Sequence, residues 1–82
     1  MKKNCLIVDD EPIAQQILEK HIQQIEALSL VGKCNNAFEA LNVLHREAID
    51  IMFLDIKMPS MSGLELLRTQ QNPPMVILTT AF

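Results

Sequence analysis

The stretch CLIVDDEP, residues 5–12, contains the signals that decide how this chain folds. Four apolar residues are followed directly by two adjacent aspartates, Asp9 and Asp10, and then by Pro12. Proline is tolerated in the first turn of a helix, so the stretch predicts a buried strand, an acidic loop and the start of a helix. A single acid before a helix is explained by the positive end of the helix dipole. Two adjacent acids need a further reason.

Apolar runs of strand length recur along the chain, at residues 5–8, 28–32, 51–54 and 75–78. The segments between them carry apolar residues at helical spacing and predict three helices. The first covers residues 12–27, the second starts at Asn36 with a stripe reaching Ala48, and the third covers residues 63–70. The buried stripe predicted for the first helix comprises Ala14, Ile17, Leu18, Ile22 and Ile25. This alternation predicts βαβ units and an α/β fold with a parallel sheet.

Two of these helix starts carry capping signals. The spacing of a capping box occurs in two pairs, Asn36 with Glu39 and Ser62 with Glu65. In a capping box, the side chain of each residue accepts a hydrogen bond from the backbone N–H of the other. The segment Asn72-Pro73-Pro74 then predicts the end of the third helix.

Composition and charge exclude several classes of function. The chain has 82 residues and a net charge of -3, with 7 scattered lysines and arginines, so we expect one domain and no contact with nucleic acid. No apolar run reaches the length that spans a membrane. The two cysteines, Cys5 and Cys34, match neither a disulfide framework nor a metal motif, which indicates buried thiols in a reducing, cytoplasmic environment.

The acids are expected to meet at one edge of the sheet. Crossovers between parallel strands are right-handed, and the economical arrangement of these four strands is the order 2-1-3-4. Ligands bind such sheets beyond the carboxyl ends of the strands, where the winding direction reverses. Asp9 and Asp10 follow the first strand there and Asp55 follows the third, while Thr79 and Thr80 line the next edge.

Three converging carboxylates repel one another, by about 1 to 4 kcal/mol per pair at about 4 Å. A hard divalent cation such as Mg²⁺ offsets this repulsion more simply than protonation does in an open crevice. It also prepares the site for a phosphoryl group. Two adjacent aspartates then have a reason, because one can bind the cation directly while the other holds its water shell. Asp55 is left as the nucleophile.

Three separated motifs now identify a family resemblance. The segments DDEP (residues 9–12), LDIKMPSMSGLELL (residues 54–67) and TTA (residues 79–81) together resemble the receiver domain of two-component response regulators. The sequences LDIKMPSMSGLELL and VILTTAF are similar to those of receivers that precede a LytTR-type DNA-binding domain. The resemblance covers residues 1–82 and implies a flavodoxin-like fold that acts as a signalling switch, not as an enzyme, although a receiver can catalyse its own phosphorylation and dephosphorylation.

The resemblance also implies a role for each matching residue. Asp55 would accept a phosphoryl group from a sensor histidine kinase. Asp10 would bind Mg²⁺ directly, Asp9 would act largely through water, and the backbone carbonyl of Lys57 would complete the protein ligands. Thr80 matches the hydroxyl that turns toward the phosphoryl oxygens.

Two further residues match the loop that follows the acceptor. Gly63 corresponds to the glycine that allows the turn into the third helix, and Pro59 shapes the loop before it. Lys57 and Met58 are expected to face solvent or a partner.

The chain departs from the family pattern at its end. It stops at Phe82, before the last helix, strand and helix of a receiver, and no residue matches the lysine that pairs with the phosphoryl group. The expectation is therefore an incomplete receiver, β1-α1-β2-α2-β3-α3-β4, whose fourth strand is an exposed apolar edge. Such an edge favours pairing with another chain, so we expect a homodimer through strand four if the chain folds alone.

Three other functions compete with this interpretation. A nucleotide-binding domain is disfavoured because the turn after the first strand lacks glycines and its acids would repel phosphate. A phosphatase with an aspartyl nucleophile fits the fold class, but such enzymes usually carry an acid where Lys57 stands. A non-phosphorylated interaction or dimerisation module remains open, and the absent lysine supports it.

Overall fold

The computed structural model describes residues 2–79, which form a parallel four-stranded sheet with strand order β2-β1-β3-β4. The elements are β1 (Lys3–Val8), α1 (Pro12–Gln23), β2 (Leu28–Cys34), α2 (Ala37–Arg46), β3 (Ile51–Leu54), α3 (Gly63–Arg68) and β4 (Met75–Leu78). The predicted α/β class and the order 2-1-3-4 are confirmed. The third helix is shorter than predicted, since it ends at Arg68.

The central strand β1 is buried on both faces of the sheet. Leu6 and Val8 point into a core beneath α2 and α3, whereas Cys5 and Ile7 point into a second core with Ile22 of α1. This follows from the alternation of side chains along a strand combined with helices on both faces. A strand buried on both sides reads as a continuous apolar run, which is why residues 5–8 show no alternation.

The predicted extent and stripe of α1 are partly wrong. The helix ends at Gln23 rather than at residue 27, because Gln24 and Ile25 donate hydrogen bonds of 3.2 and 3.0 Å to carbonyls three residues earlier and so tighten the chain into a turn. Ile17 and Ile25 are 54% and 49% exposed. Only a narrow side of α1 contacts the sheet, and Ile22 is its one apolar residue that is fully buried among those described.

The two capping predictions have different outcomes. Ser62 and Glu65 form a complete capping box, with Glu65 N–H to Ser62 Oγ at 3.2 Å and Ser62 N–H to the Glu65 carboxylate at 2.9 Å. Asn36 also caps its helix, accepting from Glu39 N–H at 2.9 Å, but the Glu39 carboxylate accepts from Asn35 N–H instead of closing the box. Both predicted helix starts are therefore correct, and one box is only half formed.

Within residues 2–79, β4 pairs with β3 and with no other strand. Its apolar side chains are largely uncovered, since Met75, Ile77 and Leu78 are 66%, 42% and 51% exposed. The predicted exposed apolar edge is confirmed for these residues.

Both cysteines are buried and free, as predicted. Burial raises the pKa of the Cys34 thiol to about 11, so the reactive thiolate is scarce at neutral pH. In the part of the chain that the structure describes, no helix is long and apolar enough to cross a membrane.

Candidate functional site

The acid site lies at the carboxyl ends of β1 and β3. Val8 and Leu54 are paired at the ends of these strands, and one residue later the chain reaches Asp9 and Asp55. Asp55 N–H donates to the Val8 carbonyl at 2.9 Å, and Asp9 N–H donates to the Cys34 carbonyl at 3.0 Å. The sheet ladder therefore holds the backbone of both acids.

The three predicted carboxylates come together. One carboxylate oxygen from each of Asp9, Asp10 and Asp55 lies within 4.8 Å of the others. Asp9 and Asp55 are buried, at 4% and 8% exposure, whereas Asp10 is the more exposed. The convergence that strand order predicted is thus confirmed as geometry.

These acids border an open pocket of about 260 Å³. Its lining comprises Asp9, Asp10, Glu11, Ala14, Asp55, Lys57 and Thr79. The Thr79 hydroxyl is buried and has no hydrogen-bond partner among residues 2–79. Thr79 therefore lines the pocket edge as predicted, whereas Thr80 lies outside the described residues.

The loop after β3 fixes the Asp55 side chain. Lys57 N–H donates to Asp55 Oδ1 at 3.2 Å, while the Lys57 side chain faces solvent. Met58 does not face solvent or a partner as predicted. It is only 9% exposed and packs into the core beneath α2 and α3, since its flexible side chain fills the space under the loop.

The Asp9 carboxylate is held by the backbone at the start of α1. Its Oδ1 accepts Glu11 N–H at 2.9 Å, which holds the carboxylate over the start of α1. Burial raises the pKa of Asp9, and repulsion from Asp55 and Asp10 raises it further, against the lowering effect of the Glu11 hydrogen bond. The site is therefore electrostatically unfavourable when it holds only acids.

This arrangement fits a divalent cation of the Mg²⁺ class. Such ions take oxygen ligands, and Mg²⁺ in particular uses one or two carboxylates and keeps several waters. The acids supply the oxygens, the pocket leaves room for water, and a cation would offset both the burial and the repulsion that raise the pKa of Asp9. Lys57 lines the pocket, and its carbonyl as a ligand stays a prediction.

We expect Asp9→Asn to stabilise the cation-free protein at neutral pH. A carboxyl with a raised pKa binds its proton more tightly in the folded state. Its contribution to stability therefore falls as pH rises above the ordinary value of 3.8, and stays unfavourable above the folded pKa. The amide removes that charge, and its Oδ1 can still accept the Glu11 N–H.

The measurement is thermal unfolding in EDTA across the pH range. We expect Asp9→Asn to raise the Tm at neutral pH and to lose this advantage as the pH falls below the ordinary carboxyl pKa of 3.8, because the wild-type carboxyl is then protonated in the folded and unfolded states. A variant that is less stable than the wild type at neutral pH would show that neither burial of the Asp9 charge nor repulsion from its neighbours destabilises the cation-free protein.

Gly63 begins α3, where the glycine of the turn was predicted, and the structure gives the reason for a glycine there. No described glycine has a positive φ, so the turn into α3 does not need glycine for its conformation. The need is for space, because a Cβ at residue 63 would lie 2.5 Å from the Asp55 carbonyl oxygen. Gly63 N–H also donates to the Ile56 carbonyl at 2.9 Å. The start of α3 therefore packs directly on the backbone of Asp55.

Sequence reasoning missed a strained residue in the same loop. Ser60 has a φ of 71°, and Met61 N–H donates to the Pro59 carbonyl across it at 2.8 Å. This is the γ-turn with positive φ, which is rare and strained for residues other than glycine. A serine directly after proline gives no signal of that conformation.

We expect Ser60→Gly to stabilise the protein. Glycine removes the steric cost of the left-handed region, about 1 to 2 kcal/mol, but adds entropy to the unfolded chain, so a net gain of about 0.5 kcal/mol is expected. Chemical unfolding of the two proteins measures it, with Ser29→Gly in the ordinary strand β2 as the control that should lose stability. A loss in Ser60→Gly would show that the turn carries no strain.

Comparison with known proteins agrees with the fold. The family model of the response regulator receiver domain matches residues 5–82. The transcriptional regulatory protein BtsR of Escherichia coli strain K12 is 40% identical over 79 residues, which cover 94% of this chain and 33% of that protein. An uncharacterized response regulatory protein of Shewanella oneidensis is 40% identical over 80 residues, covering 95% of this chain and 34% of that protein. The chain thus spans about a third of the length of these relatives.

Solved structures show the same architecture. The response regulator domain of Thermotoga maritima CheB matches with a TM-score of 0.90 and 26% identity, covering 98% of this chain and 61% of that one. The response regulatory domain of protein mrkE from Klebsiella pneumoniae matches with a TM-score of 0.86 and 30% identity, covering 96% of this chain and 67% of that one.

The described fold has four strands in the order 2-1-3-4, and at 82 residues the chain is shorter than a full receiver. With its acids gathered at the ends of β1 and β3, this chain belongs to the response regulator receiver family.

Proposed function

We propose that the chain is the phosphoacceptor part of a two-component signalling switch, in which Asp55 takes a phosphoryl group from a sensor histidine kinase with the help of Mg²⁺. The observation that carries the proposal is the convergence of three carboxylates within 4.8 Å at the rim of an open pocket. Receiver domains interact with histidine kinases, and membership in this family supports that partner.

Phosphoryl transfer requires the protein mainly to position the reacting groups and to neutralise their charge. A carboxylate oxygen of Asp55 forms a bond to phosphorus as the bond from phosphorus to the histidine nitrogen of the kinase breaks, and the departing imidazole takes up a proton. The hydrogen bond from Lys57 N–H to Asp55 Oδ1 orients the attacking carboxylate. The sheet anchors the backbone of Asp55, since its N–H donates to the Val8 carbonyl.

We assign the cation to the acids as the family resemblance implies. Asp10 would hold Mg²⁺ directly, Asp9 would act largely through water, and Asp55 and the Lys57 backbone carbonyl would complete the protein ligands. Bound there, Mg²⁺ would neutralise the charge of the phosphoryl group and the carboxylates. An acid in place of Lys57 would have favoured a phosphatase, and the exposed lysine side chain supports the acceptor role instead.

The output of the switch is also proposed. Thr80 would turn its hydroxyl toward the phosphoryl oxygens and pass the signal on. The relative BtsR is a transcriptional regulatory protein. The sequence of residues 54–67 is similar to that of LytTR-type regulators. We therefore propose that the whole protein controls a LytTR-type DNA-binding output. The free, buried cysteines fit a cytoplasmic location.

Intact mass spectrometry tests the acceptor function. The folded wild-type chain is incubated with acetyl phosphate, with Mg²⁺ or with EDTA. We expect the gain of one phosphoryl group, removable by hydroxylamine as an acyl phosphate, only in the presence of Mg²⁺. The absence of uptake by folded protein with Mg²⁺ would reject the acceptor function for this chain.

A second candidate is a non-phosphorylated dimerisation module, which the uncovered apolar side chains of β4 favour. Met75, Ile77 and Leu78 are exposed beside a strand edge that is unpaired within residues 2–79. Pairing of two copies through β4 would satisfy the edge and cover these side chains. Multi-angle light scattering tests this, with Ile77→Lys as the variant that should disrupt pairing. A monomer at micromolar concentration would reject the homodimer.

A further inference from the structure

The helix α1 buries one polar side chain beside the acid site. Gln15 is 7% exposed, whereas its neighbour Gln16 faces solvent. The side-chain nitrogen of Gln15 lies 2.6 Å from the Asp9 carbonyl oxygen, 3.1 Å from the Cys34 carbonyl oxygen and 2.9 Å from Asn35 Oδ1. An amide nitrogen has only two hydrogens, so three acceptors share them. The Gln15 side chain therefore acts as a donor to the Asp9 carbonyl and as a second donor to the Cys34 carbonyl.

Gln15 also closes a ring of hydrogen bonds around Asp9. Its backbone N–H donates to the Glu11 carbonyl at 3.1 Å, and Glu11 N–H donates to the Asp9 carboxylate at 2.9 Å. Its side chain returns to the Asp9 carbonyl. The carboxylate and the carbonyl of Asp9 are therefore both held by groups at the start of α1.

The same side chain joins two loops. Cys34 and Asn35 lie where β2 passes into α2, and the Cys34 carbonyl also accepts Asp9 N–H at 3.0 Å. Asn35 is in turn held by its N–H bond to the Glu39 carboxylate at 2.9 Å. Gln15 thus braces the acidic loop against a second loop that is itself anchored to α2.

We propose that Gln15 is a positioning residue for the acid site, which holds Asp9 in the orientation that the cation needs. The carboxylate oxygens of Asp9, Asp10 and Asp55 lie within 4.8 Å of one another, and their mutual repulsion favours separation of the acids unless the backbone of the acidic loop is held. Groups that support metal ligands typically change metal affinity by about 10 to 100-fold when they are removed. The inference rests on the proposed function, because it assumes that the acids bind Mg²⁺.

The test compares Gln15→Met with Gln16→Met. Both changes replace the amide by an apolar chain of similar length, but only the first removes the buried donor. Mg²⁺ affinity is measured by isothermal titration calorimetry at a temperature where each protein is folded. We expect the Kd of Gln15→Met to rise by about tenfold, at the lower end of such effects, and that of Gln16→Met to stay unchanged.

A structural role alone would lower the Tm of Gln15→Met and leave its Kd for Mg²⁺ unchanged, which would overturn the inference while the proposed function stands. If the wild type itself bound no Mg²⁺, the proposed function would fail, and the inference with it.

The wild type also provides a test that does not depend on the variant folding. On titration with Mg²⁺, the side-chain NH₂ resonances of Gln15 and the amide of Asn35 should shift together with the amide of Asp10. A Gln15 side chain that does not respond would overturn the inference.

Discussion

Asp55→Asn is expected to abolish phosphoryl uptake from acetyl phosphate completely. The amide has nearly the shape of the carboxylate, and its oxygen can keep the 3.2 Å hydrogen bond from Lys57 N–H. It lacks the negative charge of the nucleophile, however, so attack on phosphorus is lost while the fold is retained. Intact mass after incubation with Mg²⁺ measures the loss, and circular dichroism verifies that the variant is folded.

Asp50→Asn is the matched control, since Asp50 precedes the strand β3 and Asp55 follows it. The Asp50 carboxylate accepts Asn4 N–H at 2.7 Å, a bond that an asparagine oxygen can keep. We expect Asp50→Asn to take up the phosphoryl group like the wild type, because it removes the same charge at the opposite end of the strand. Uptake by folded Asp55→Asn would place the acceptor on another acid.

Gly63→Ala is expected to have the largest effect on stability. The added methyl group would lie 2.5 Å from the Asp55 carbonyl oxygen and 3.1 Å from the Cα of Ile56. Both are backbone atoms held by the sheet or the adjoining loop, so no side-chain rotation can make room. We expect the free energy of unfolding to fall by about 2 kcal/mol or more, and the Tm by on the order of 10 °C in a domain of this size.

Gly32→Ala provides the contrast for this prediction. The nearest atom to a Cβ at Gly32 is Leu6 Cδ1 at 3.6 Å, an ordinary contact. Alanine also lowers the entropy of the unfolded chain, so this variant should be neutral or more stable by about 0.5 kcal/mol. Equal melting temperatures for Gly63→Ala and the wild type would contradict the close packing of α3 on Asp55. We also expect Gly63→Ala to slow phosphoryl uptake, because the added methyl group would displace the backbone of Asp55.

The convergence of Asp9, Asp10 and Asp55 could be predicted because it depends on topology. Residues that follow parallel strands lie at one edge of the sheet, and right-handed crossovers leave few possible strand orders. The Ser62 capping box could be predicted for a similar reason, since it depends on two residues three positions apart. Neither inference requires knowledge of side-chain packing.

Other predictions failed where the outcome depends on what covers a surface. Ile17 and Ile25 have the spacing of a buried stripe, but only part of α1 contacts the sheet and both remain about half exposed. Met58 lies in a loop beside a lysine, yet it packs into the core. Hydrophobic periodicity shows which residues can be buried, whereas burial itself depends on contacts from distant parts of the chain.

The sequence by itself determined the α/β class, the order of the four strands, the acids that meet at their ends and the family, because these follow from local patterns and general rules of chain connection. Only the tertiary structure decided how the acid site is supported. The missing space at Gly63, the strained turn at Ser60 and the three hydrogen bonds of Gln15 all arise between groups whose proximity depends on the packed fold. Differences in distance of a few tenths of an ångström decide whether these contacts form, and such differences cannot be inferred from the pattern of residue types along the chain.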